Sequence, residues 1–169
     1  SSDLRGGVGI DWHMANKKAE ITSRPFDIVV AHGYSTLDAD KPRDPGKLIA
    51  SSKDLADAVR AKNPKVDIYL SSTWSRPDQI YQEKGAWAGT PIDVMAKDIR
   101  VAYDKAAEGV SGKVVPVGEA FNRAFKTGFA DANPFDGIDA GKINIWTYDN
   151  YHASAFGYYI EALMVFGRV

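Results

Sequence analysis

The sequence predicts a doubly wound α/β domain built on a parallel sheet, and two observations carry that expectation. Three short, nearly unbroken runs of apolar and β-branched residues, "FDIVVAHG" (26–33), "VDIYLSSTW" (66–74) and "KVVPVGEAF" (113–121), have the pattern of strands covered on both faces. Two long amphipathic stretches with capping residues at their starts lie between them, so strand, helix, strand, helix, strand repeats along the chain.

The first crossover helix is predicted in "DPGKLIASSKDLADAVRAKNP" (44–64). Asp44 is its cap, and Pro45 suits the first turn because the N–H it lacks has no partner there. Leu48, Leu55 and Val59 mark its buried face, and "NP" stops it. The second lies in "TPIDVMAKDIRVAYDKAAEG" (90–109), with Thr90 as cap, Pro91 inside and Asp93 in the capping-box position. Ile92, Met95, Ile99 and Ala106 face its core. After the third strand, "GEAFNRAFKTG" (118–128) reads as a short helix and "INIWTY" (143–148) as a short extended segment. "SAFGYYIEALMVFG" (154–167) reads as a closing helix with Phe156, Tyr159, Ile160, Leu163 and Phe166 on its buried side.

Composition narrows the function. The 169 residues, 44% hydrophobic and 25% charged, suit a single soluble domain over 1–169 with a substantial core. Net charge is −1 and the basic residues are scattered among acids, so no face gathers nucleic-acid phosphates or anionic lipid. No apolar run reaches the roughly eighteen residues of a membrane span. The absence of cysteine excludes disulfides, thiolate metal sites and a cysteine nucleophile by inventory, and leaves the compartment open. Only His13, His32 and His152 are available as bases near neutral pH, and no H-x-x-x-H or H-x-H spacing points to a metal.

In doubly wound sheets ligands bind beyond the carboxyl ends of the strands. The loops there begin at His32–Asp38, Ser72–Asp78 and Gly118–Asn122, followed one element later by Asp149–His152. A catalytic histidine needs a carboxylate to orient its ring and stabilise its charged form, and Asp149 stands three residues before His152. His32 is a candidate rim contact. Trp74 and Arg76 form a candidate substrate wall, because indole faces stack on sugars and guanidinium binds carboxylates. Glu119 either bonds the rim or caps the helix that follows it.

The stretch "TYDNYHASAFGYYIEALMVFG" resembles the last block of the SGNH (GDSL-type) hydrolases, in which a D-x-x-H pair precedes the carboxy-terminal helix. "FDIVVAHGYSTLD" is similar to the strand and oxyanion turn of that family's third block, and "IYLSSTWSRPD" and "VVPVGEAFNRA" to the next two strands and their loops. "LRGGVGIDWHMANKKAEI" resembles the glycine loop of its second block. The resemblance covers nearly the whole chain and implies a three-layer α/β/α, flavodoxin-like fold with a parallel sheet, incomplete at its N-terminal side. It further implies a serine esterase or deacetylase acting on a small or carbohydrate-linked ester without a cofactor. His152 would be the general base and Asp149 its orienting acid. Gly7 would supply an oxyanion N–H, with Gly6 and Gly9 as competitors. The sequence has Gly33, Tyr34, Ser35 and Thr36 where the family presents G-x-N-D, so Ser35 would stand in for an asparagine donor. The family's first block, ending in G-D-S with the nucleophile, is not found. The nucleophilic serine is therefore expected on a second chain or a segment outside this sequence. The alternative is a non-catalytic glycan or small-molecule binding module of the same fold, with its ligand between Trp74, Arg76 and His152.

Overall fold

A computed structural model describes residues 7–169. In chain order its elements are α1 (Ile10–Ile21), β1 (Ile28–Ala31), α2 (Gly46–Arg60), β2 (Asp67–Ser72), α3 (Pro77–Tyr81), α4 (Ile92–Gly109), β3 (Lys113–Pro116), α5 (Val117–Lys126) and α6 (Ala155–Phe166). The fold is α/β, with a three-stranded parallel sheet in the order β1-β2-β3. Residue contacts gather the chain into two compact units, one running to Ser71 and taking in Val101–Val115, the other comprising Ser72–Arg100 and Pro116–Val169.

The first unit holds the sheet. Val29 lies opposite Ile68 and Ala31 opposite Leu70 in the parallel register of β1 and β2. Ile68, Leu70, Val114 and Val115 are buried, as a strand covered on both faces requires. β1 departs from that expectation: Ile28 and Val30, two residues apart and so on the same face of the strand, are 44% and 41% exposed, which leaves that face of β1 open. α2 buries Leu48, Leu55 and Val59 along one stripe, as the spacing predicts. It starts at Gly46, whose N–H is taken by the Asp44 carboxylate at 2.8 Å. The Tyr103 hydroxyl accepts the Gly33 N–H at 2.8 Å and ties the loop after β1 to α4.

The second unit has an aromatic interior. Trp74 stacks on Phe121 with ring centroids 4.8 Å apart and planes 12° from parallel, and Phe121 in turn meets Trp146 at 6.1 Å. Trp87 is 1% exposed and donates its indole N–H to Asp98 at 2.8 Å, which satisfies the polar end of a buried ring. Met95 and Ile99 are buried on the predicted face of α4, whereas Ile92 is half-buried. Thr90 does not cap that helix; its hydroxyl donates to the Trp87 carbonyl. The third apolar run is divided at Pro116, where extended chain passes directly into α5.

The closing helix is turned differently from the expected arrangement. Phe156, Tyr159, Leu163 and Phe166 are 61%, 64%, 50% and 86% exposed, and Gly157 is the buried residue of α6. The reason is steric. A Cβ at Gly157 would lie 2.8 Å from both the Ala153 Cβ and the Ile145 carbonyl oxygen, so only glycine lets the helix backbone come this close. Gly157, with half-buried Ile160, Glu161, Met164 and Val165, forms the inward side, one residue out of step with the expected stripe.

Candidate functional site

The sequence from Trp146 to Ala153 folds back on itself. Trp146 and Ala153 form an antiparallel bridge, the Thr147 N–H donates to the His152 carbonyl at 2.9 Å, and the Asn150 N–H donates to the Thr147 carbonyl at 3.0 Å. Asn150 closes the turn at φ 63°, a left-handed conformation that asparagine tolerates better than most residues.

This hairpin converges on the Asp149 carboxylate. Its Oδ1 accepts the Thr147 hydroxyl at 2.7 Å, the Tyr151 N–H at 3.1 Å and the His152 N–H at 3.0 Å. Oδ2 faces the His152 Nδ1 at 2.6 Å. Partial desolvation works against ionisation of Asp149, but the bonds from the His152 ring, the His152 N–H, the Thr147 hydroxyl and the Tyr151 N–H outweigh it and hold the carboxyl well below its ordinary value. An ionised carboxylate has no proton to give, so Nδ1 of His152 carries the hydrogen and the neutral ring keeps its Nε2 lone pair. Among the described residues Nε2 makes no hydrogen bond, and the side chain is 48% exposed. The result is an oriented imidazole with its basic nitrogen available.

Linkage fixes the pH behaviour. A carboxyl that titrates lower in the folded chain adds stability that is complete above its unfolded value and is lost as pH falls through its folded value. The stability that ionised Asp149 gives wild type over Asp149→Asn should therefore be lost as pH falls below about 4. Calorimetry across that range checks this, and a difference that has already vanished at pH 5 contradicts it.

Trp74 and Arg76 reach this turn through Tyr151. The Trp74 indole N–H donates to the Tyr151 carbonyl at 3.0 Å, and the Arg76 guanidinium lies 4.0 Å from the centre of the Tyr151 ring. Neither forms the open wall expected of it. Trp74 is 8% exposed, with one face on Phe121, so it anchors the turn from beneath. The Nε and Nη2 edge of Arg76, which would fork a substrate carboxylate, is taken by Asp78 at 3.0 and 2.7 Å. Spacing along a sequence does not report burial, and the Arg76–Asp78 pair was the available signal.

The remaining candidates belong to the first unit, apart from Glu119, whose carboxylate pairs with Arg100 at 2.5 Å in the second. Gly7 is exposed at φ 75° with open space where a Cβ would project, Ser35 is half-buried in the loop after β1, and Gly6 lies outside the described residues. His32 is exposed, with Nδ1 3.1 Å from the Gly33 carbonyl. Thr147 and Tyr151 are contributors to the His152 site that the D-x-x-H spacing did not bring out.

No family model and no curated protein matches the chain. Two solved structures share its fold. One is described as "a putative SGNH hydrolase from Slackia heliotrinireducens", with TM-score 0.67 and 21% identity over 95% of this chain and 79% of that one. The other is a DUF4886 family protein from Bacteroides uniformis, with TM-score 0.60 and 20% identity over 88% of this chain and 52% of that one, so this chain spans about half of that neighbour's length.

Proposed function

We propose that this chain supplies the acid and base of a serine ester hydrolase of SGNH type, acting on a small or carbohydrate-linked ester. The observation that carries the reading is the Asp149–His152 pair, joined at 2.6 Å, with Nε2 making no hydrogen bond among the described residues and the His152 side chain 48% exposed. A serine hydroxyl attacks the ester carbonyl as His152 Nε2 takes its proton. The tetrahedral oxyanion collapses, and His152 returns the proton to the leaving alcohol. Water then repeats the sequence on the acyl-enzyme, with Asp149 stabilising the imidazolium each time.

The nucleophile in this proposal is carried on a segment or second chain outside this sequence. What supports that part is the use made of the serines at the end of β2 and in the loop after it: Ser72 and Ser75 are fully buried, and the Ser75 hydroxyl accepts the Ala96 N–H at 2.9 Å. The binding-module alternative needs open faces on Trp74 and Arg76, and the burial of one and the pairing of the other with Asp78 do not favour it. Ester turnover by the natural polypeptide, measured before and after His152 is replaced, tests the reading. Loss on replacement supports it, and equal turnover removes it.

A further inference from the structure

We infer that Tyr151, held by Arg76, is the positioning residue that sets the plane of the His152 ring, so that Arg76 serves the reaction through Tyr151 and not by binding substrate. The inference rests on the proposed hydrolase reading for its consequence, but its geometry stands apart from it. The bond from Nδ1 to Asp149 fixes one point of the imidazole. Held there and at Cγ by its own side chain, the ring still tilts about the line through those two points and carries Nε2 through an arc, and misplacement of a base by about 1 Å costs on the order of a hundredfold in rate. A second contact is needed, and Tyr151 provides it with ring centroids 4.2 Å apart at a 37° tilt.

Tyr151 is itself held twice. Its carbonyl takes the Trp74 indole N–H at 3.0 Å, and its ring lies under the Arg76 guanidinium at 4.0 Å. A guanidinium does not lose its charge at working pH, so this cation–π contact does not switch off. The Asp78 carboxylate fixes Arg76 in turn by the two-pronged pair and is held by the Gln79 side-chain amide at 2.9 Å. Asp78, Arg76, Tyr151 and His152 thus form a chain of contacts that ends on the proposed base.

The test is proton–carbon NMR of the His152 ring beside steady-state kinetics of the natural polypeptide. With three histidines in the sequence, a single substitution assigns the signals. Tyr151→Leu should displace the His152 ring signals, and Tyr151→Phe, which keeps the ring, should restore them. Arg76→Ala should displace them in the direction of Tyr151→Leu, and should lower kcat about tenfold or more with KM within about twofold. Arg76→Lys keeps the charge but loses the planar stack and the fork, and should give the same displacement at smaller size if Arg76→Ala does not fold. Wild-type His152 signals in both Arg76 variants would overturn the inference, as would a raised KM at unchanged kcat. If the wild type turns over no ester, the hydrolase reading fails, and the ring signals still decide whether Arg76 positions His152 through Tyr151.

Discussion

Replacing His152 by alanine should reduce ester turnover by about a thousandfold or more while leaving the chain folded. The side chain is 48% exposed and packs into no core, so little stability goes with it. Asp149→Asn should reduce turnover by about a hundredfold to ten thousandfold. An asparagine side chain can turn its amide nitrogen toward Nδ1, which favours the ring tautomer with hydrogen on Nε2 and blocks the base. The two residues act as one unit, so the double variant should be no slower than His152→Ala alone. Kinetics on the two single variants and the double variant check all three statements, and additive losses would separate Asp149 from the action of His152.

Trp74→Ala should cost about 3–5 kcal/mol of stability, measured as a fall in the denaturant midpoint. The indole is 8% exposed, stacks on Phe121 at 4.8 Å, meets the edge of Tyr158 at 6.1 Å and holds the Tyr151 carbonyl at 3.0 Å. Trp74→Phe keeps an aromatic ring against Phe121 and gives up the N–H, so it should cost less, with about 1 kcal/mol assigned to the missing hydrogen bond. An open substrate wall would behave in the opposite way: alanine would leave stability within about 0.5 kcal/mol and raise KM.

These two sites differ in how well the sequence exposes them. Asp149 and His152 are legible as a pair because their contact depends on a local spacing, and a turn of that length brings an aspartate back onto the ring three residues later. Trp74 and Arg76 are legible as neighbours of the site but not as its supports, since their partners Phe121, Tyr151 and Asp78 are set by folding and, for the first two, lie far along the chain. The same contrast runs through the fold. α2 shows its buried face because Leu48, Leu55 and Val59 form a single apolar stripe among polar residues. α6 is apolar nearly all round, Glu161 apart, so periodicity gives little preference for one face, and its inward position is set by Gly157, a residue without a hydrophobic side chain to announce it. β1 is recognisable as a strand from "IVV", while the exposure of Ile28 and Val30 on one of its faces depends on what packs there, which local sequence does not carry.

Reaction of the natural polypeptide with a serine-directed phosphonate, followed by mass spectrometry of the adduct, tests the proposed base most directly. One modified serine outside residues 1–169, with labelling slowed strongly in His152→Ala, is the result the proposal predicts. Labelling at equal rate with and without His152, or no labelling of a preparation that hydrolyses esters, would contradict it.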